Sequence, residues 1–144
     1  MTEEEVRHRE AIRALVARFI MHTDHGRFAD VAACFAVDGV ARWRDGGGGT
    51  GRQEIEANLR IATANPAIRF VRHNLSAMQI ELAADMRTAT GIIHFFTLSN
   101  AGGDHAGVYY DRYVRNEDGW LIALRDVRLD WRAASSLYPP TVSA

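Results

Sequence analysis

Residues Ile68 to Leu82 read IRFVRHNLSAMQIEL and open the half of the chain that decides the fold. From here to Trp131 the chain is rich in β-branched and aromatic residues. The breaks fall at Ala84-Asp85, Ala101-Gly102-Gly103-Asp104 and Glu117-Asp118-Gly119, each a turn signal. They divide the segment into four runs, Ile68–Leu82, Arg87–Leu98, His105–Arg115 and Trp120–Trp131. Short connections between long runs predict an antiparallel meander. Every run exceeds the usual strand of about 5–6 residues, so bends or bulges are expected.

Upstream of Pro66 the periodicity is helical. Ile12, Leu15, Val16, Phe19 and Ile20 fall three and four apart behind an acidic first turn, predicting an amphipathic helix that runs to about His25 and stops at Gly26. A second helix is expected over Phe28 to Phe35, with Val31, Ala32 and Phe35 buried and Asp38-Gly39 closing it. Val40 to Trp43 reads as a short strand, and the glycines at 46–49 as a flexible loop and candidate lid. A third helix opens at Gly51-Arg52-Gln53-Glu54-Ile55, buries Ile55, Leu59 and Ala62, and ends near Asn65-Pro66. Helices first and strands afterwards define an α+β fold: one domain over residues 1–132, then an extended C-terminal tail over 133–144.

Composition removes several function classes. The chain has 144 residues, enough for one domain with a real core, and its net charge of −1 offers no cationic surface for nucleic acid. All 17 basic residues are arginine, which excludes Schiff-base chemistry and lysine-anchored phosphate loops. Cys34 is the single cysteine, so an internal disulfide and multi-cysteine metal sites are excluded. The N-terminus, MTEEEVRHRE, is charged where a signal peptide is apolar, and no run is long enough to span a membrane; a cytoplasmic protein is expected. His22, Asp24 and His25 lack further ligands at metal-binding spacing, and Gly46-x-Gly48-x-x-Gly51 lacks the βαβ unit a dinucleotide site needs. No cofactor and no metal are expected.

The order of elements resembles the nuclear transport factor 2-like cone, a curved sheet around a pocket roofed by helices. Within that superfamily the chain looks most like SnoaL-like proteins related to scytalone dehydratase and bile-acid 7α-dehydratase. Four stretches carry the likeness: Thr23-Asp24-His25-Gly26-Arg27-Phe28, Arg72-His73-Asn74, Gly107-Val108-Tyr109-Tyr110-Asp111-Arg112-Tyr113, and Asp118-Gly119-Trp120 leading to Val127-Arg128-Leu129-Asp130. The resemblance implies that Asp24 and His73 face one pocket as catalytic partners. It points to Trp43, Tyr110 and Arg128 as substrate contacts, and puts a second polar pocket position at Thr97 or Ser99. The tyrosines that neighbour the aspartate in the relatives align with Phe19 or Thr23 here.

Independent chemical logic supports the pair. Elimination beside a carbonyl needs a group that takes a proton and then returns one to the departing hydroxyl, which an imidazole near neutral pH does when a carboxylate orients it. His94 depends on turn length. A two-residue turn at Ala84-Asp85 sets it opposite Leu75 on the face of His73; a three-residue turn sends it to the other face and sets Thr97 opposite His73. The family alignment favours the second. Along the Tyr109–Tyr113 run, Tyr109, Asp111 and Tyr113 share one face and Tyr110 takes the other.

The function expected is a lyase or isomerase acting through His73 and Asp24 on a hydrophobic cyclic hydroxy-ketone, polyketide or steroid-like molecule, with Phe19 and Trp43 in an apolar pocket. The alternatives are a binding protein for an apolar ligand without chemistry, or a structural subunit like the β chains of ring-hydroxylating dioxygenases. The resemblance further implies a homodimer formed through the open side of the sheet, with a trimer as the other arrangement.

Overall fold

A computed structural model describes residues 1–43 and 47–139. The first helix, α1 (Glu3–Asp24), begins at a capping box: Thr2 accepts from the Glu5 amide while the Glu5 carboxylate accepts from the Thr2 amide at 2.6 Å. Its buried stripe is Ile12, Leu15, Val16, Phe19 and Ile20, as the spacing predicts. Gly26, at φ 67°, lets the chain turn out of the helix. After α2 (Phe28–Ala33) come β1 (Phe35–Arg42), β2 (Gly48–Thr50) and α3 (Arg52–Ala62). The meander follows as β3 (Val71–Leu82), β4 (Thr88–Ser99), β5 (Gly102–Asn116) and β6 (Gly119–Arg132).

The six strands form one sheet in the order β2-β1-β6-β5-β4-β3. Only β1 and β6 run parallel among these pairs; the rest are antiparallel. Register shifts interrupt β3–β4 between Leu75 and Ala77, β4–β5 between Thr97 and Leu98, and β5–β6 between Ala106 and Gly107 and between Arg112 and Tyr113. Each extra residue bends its strand, and together they curl strands of 12 to 15 residues around the helices. Gly107 sits at one such bend, where an added Cβ would lie 2.0 Å from the Arg128 carbonyl oxygen. The core lies between the concave face of this sheet and α1, α2 and α3.

The second helix is shorter than expected. It stops at Ala33, and Phe35 begins a strand that runs through Asp38 and Gly39 instead of ending there. Phe35 stays buried, but its backbone is claimed by other partners: it lies opposite Ile122 of β6, and its carbonyl accepts a two-pronged bond from Arg52 at 2.9 and 2.7 Å. Tertiary pairing overrides the helical spacing here. Of the glycine-rich loop, Gly46 lies outside the described residues, while Gly48 and Gly49 pair with β1. The tail departs further from expectation. Residues 133–139 fold back on the sheet instead of extending, and residues 140–144 lie outside the described part. Among the described residues no helix is long and apolar enough to cross a membrane.

Candidate active site

The last turn of α1 faces the first long strand of the meander. Asp24 accepts from the His73 backbone amide at 3.2 and 3.1 Å through its two oxygens, and its Oδ1 lies 2.6 Å from His73 Nδ1. Both side chains are nearly withdrawn from solvent, at 8% exposed for His73 and 5% for Asp24. A carboxylate gripped from ring and backbone fixes the imidazole with its proton on Nδ1, leaving Nε2 with the lone pair. His73 lines a cavity of about 310 Å³. Phe19, Phe35, Trp43, Ile55, Leu59, Phe95, Val127 and Leu129 make most of its wall, so it is an apolar chamber with a few polar groups.

Sheet alternation decides which other residues reach this chamber. Thr97 is fully buried opposite His73, and His94 is exposed on the convex face. The route to that register differs from either turn considered above: the Ala83 amide donates to the Thr88 carbonyl around residues 84–87, and the bulge between Leu75 and Ala77 restores the pairing. Thr97 Oγ1 has no hydrogen-bond partner among the described residues, and Thr97 is not among the residues that line the cavity.

Two expected substrate contacts lie on the wrong side of the sheet. Tyr110 is exposed on the convex face, where Arg128 covers its ring at 4.9 Å. Arg128 is itself exposed and pairs with Asp126 at 3.3 Å. Their neighbours one and three residues away replace them. Tyr109 lines the cavity, and Arg125 forms part of its floor. The physical reason is the period of two: odd-numbered residues from 109 to 113 and from 125 to 129 point inward, and the bulge between Arg112 and Tyr113 sets Asp111 opposite Arg125.

Arg125 is a buried charge, with 1% of its surface exposed. Its Nε and Nη2 bind Asp111 at 2.9 and 2.6 Å, and Tyr113 Oη donates to the same carboxylate at 2.6 Å. The guanidinium lies 4.2 Å from the centroids of both Phe19 and Tyr109, and Tyr109 stacks on Phe95 at 4.2 Å. Burial opposes its charge, but the Asp111 carboxylate more than offsets that and raises the guanidinium's pKa. Arg125 Nη1 has no partner among the described residues. The facing Asp111 and Arg125 on a face shared with Val127 and Leu129 carried a readable signal, which an arginine three residues further on obscured.

A second histidine was missed altogether. His105, at the start of β5, lines the cavity with its ring centroid 6.3 Å from that of His73. Its Nδ1 lies 2.6 Å from Asp104 Oδ1. Burial lowers its pKa and outweighs the pull of Asp104, so the ring is neutral at pH 7. For Asp104 burial acts upward, but bonds from Ser136, His105 and the Leu137 amide prevail and hold the carboxyl below its ordinary value. The two histidines beside Asp24 in sequence turn elsewhere: His25 Nδ1 sits 2.8 Å from the Met21 carbonyl and His22 Nδ1 4.0 Å from Asp30. Among the described residues no group of three or more His, Cys, Asp or Glu is placed to hold a metal ion. Cys34 is buried, and burial pushes its thiol pKa up, away from nucleophile behaviour.

The cone-shaped sheet with a pocket under its helices is the cystatin-like, nuclear transport factor 2-like fold. The SnoaL-like domain model matches residues 4–126, and the chain belongs to that family. A variant of Rv3472, a Mycobacterium tuberculosis protein of unknown function, is 26% identical over 92% of this chain and 77% of its own, with a TM-score of 0.78. A candidate scytalone dehydratase from Novosphingobium aromaticivorans is 19% identical over 100% of this chain and 99% of its own, with a TM-score of 0.82. ActVI-ORFA of Streptomyces coelicolor is 23% identical over 84% and 96%, with a TM-score of 0.75. No curated protein matches the chain in sequence.

Proposed function

We propose that this protein is a lyase or isomerase of the dehydratase type, acting on a hydrophobic cyclic hydroxy-ketone of polyketide-like or steroid-like shape. The observation that carries this reading is the 2.6 Å contact between Asp24 and His73 at the wall of an apolar cavity. His73 Nε2 takes the proton beside the substrate carbonyl, and the C–H electron pair passes into the enolate. The enolate then expels the β-hydroxyl, which leaves as water with the proton that His73 returns. Asp24 stabilises the imidazolium between the two steps. His105, neutral and on the same wall, is a second group able to relay that proton. The low polarity of the wall strengthens each of these interactions.

A suitable probe is a β-hydroxytetralone, whose loss of water gives a fluorescent naphthol. The protein is expected to accelerate that loss, and His73→Ala to slow it by about two orders of magnitude or more. Full activity in the variant would sink the mechanism. Tight binding of the probe with no naphthol formed would favour a ligand-binding protein instead.

The same reading extends to assembly: a homodimer formed through the convex face of the sheet. Ile92, Phe96, Leu98, Tyr110 and Trp131 are large apolar side chains exposed there on neighbouring strands, which supports it.

A further inference from the structure

Helices and sheet leave part of the cavity wall to the chain that follows β6. The Ala133 amide donates to the Asp104 carbonyl at 2.8 Å, Ser136 Oγ to Asp104 Oδ1 at 2.6 Å, and the Leu137 amide to Asp104 Oδ2 at 2.9 Å. Arg132 Nη2 holds the Tyr138 carbonyl at 2.8 Å, and Asn65 Nδ2, just beyond α3, holds that of Leu137 at 3.0 Å. These bonds lay Ser136, Tyr138 and Pro139 along the cavity. The Tyr138 ring meets His105 edge-on, with centroids 4.8 Å apart.

The Tyr138 hydroxyl is out of place for a structural residue. It is buried and has no hydrogen-bond partner among the described residues, although a buried phenol ordinarily finds one. Burial, reinforced by the negative charges of Asp104 and Asp24, raises its pKa, so it keeps its proton. It is therefore a donor with nothing to donate to. Its position gives that donor a use: Tyr138, Thr23 and Thr63 border both the apolar chamber and a second, outer cavity of about 450 Å³ that reaches Asp24. Tyr138 thus stands where the two cavities adjoin.

We propose that Tyr138 Oη donates a hydrogen bond to a ligand oxygen in the chamber, so that the C-terminal segment supplies the polar contact orienting an otherwise apolar ketone. This rests on the ketone class proposed above, but not on any turnover.

The test compares α-tetralone with tetralin, the same bicyclic skeleton without the carbonyl, by calorimetric titration of the full chain and of Tyr138→Phe. The variant keeps the ring against His105 and loses only the hydroxyl. Affinity for α-tetralone is expected to fall about tenfold, with tetralin unchanged within about twofold. The infrared stretch of the bound ketone should lie below its value in apolar solvent in the unaltered protein and return towards it in the variant. Equal weakening of both ligands assigns Tyr138 to packing alone and overturns the proposal. So does an unshifted carbonyl stretch in the unaltered protein, which needs no variant, or failure of α-tetralone to bind at millimolar concentration. A Tyr138-dependent ketone contact without naphthol formation from the β-hydroxytetralone would leave this inference standing and remove the lyase reading. Naphthol formation with an unshifted stretch would do the reverse.

Discussion

The concave and convex faces of β4, β5 and β6 are built from alternate residues of the same strands, yet they treat polar groups in opposite ways. Inside, Asp111, Arg125 and Asp104 are buried, each tied to named partners within hydrogen-bond distance. Outside, Tyr110, Arg128, Phe96 and Trp131 are exposed, and their pairings are loose. Burial makes the inner contacts consequential, because an unpaired charge there has no water to turn to. The same residue types on the outer face have solvent as an alternative. Residue type therefore says little about role in this sheet, and parity along the strand says much.

The sharpest way to test that contrast is to remove one charge from each face. Asp111→Ala strands the Arg125 guanidinium in the core and is expected to cost about 3–5 kcal/mol in urea denaturation. Arg128→Ala should stay within about 0.5 kcal/mol. Comparable losses would mean that the faces do not differ as argued. A pair of histidines gives the catalytic counterpart: His73→Gln should lower β-hydroxytetralone turnover about a hundredfold, whereas His94→Gln should leave it unchanged. On the convex face, Phe96→Asp is expected to move the protein from dimer to monomer in sedimentation equilibrium at micromolar concentration while the urea midpoint stays close to the parent's. A monomeric parent would remove the basis of that prediction.

The smallest effect expected is on pH. Groups around His105 are Asp104, His73, Arg132 and Tyr138, and burial holds its pKa below the ordinary 6.5. Its full contribution to stability is present above that value. As pH falls through 6.5 towards the folded pKa, the unfolded chain takes up a proton that the folded one resists, and stability declines. Asp104, also lowered, adds a separate loss below its ordinary 3.8. Replacing His105 with Gln should flatten the upper part of the urea-midpoint profile between pH 7 and 5. An unchanged slope would place the responsible titration elsewhere.

The framework was legible because it rests on local signals. Turn residues mark the meander, the acidic first turn and Gly26 bound α1, and the spacing of Ile12 to Ile20 gives its inner stripe. Asp24 and His73 were legible for a different reason: the motifs around them resemble a family, and the register of β3 then brings them together. Tyr110 and Arg128 were misplaced because they were chosen by resemblance, whereas strand alternation turns both to the convex face. The switch from α2 to β1 at Phe35 depends on Ile122 and Arg52, both distant along the chain. Tyr138 had no signal at all, since Pro139-Pro140 suggests an extended arm and the bonds that fold it back run to Asp104, more than thirty residues earlier.

Asp104 serves three donors at once: the His105 ring, the Ser136 hydroxyl and the Leu137 amide. Detachment of the tail would remove two of them and leave the carboxylate to the imidazole alone, strengthening its hold on the Nδ1 proton. By reciprocity, protonation of His105 changes the tail's tendency to stay docked by the same free energy as docking changes the proton affinity of His105. The carboxylate thereby converts a mechanical event, the lifting of a terminal segment, into an electrical one at the chamber wall.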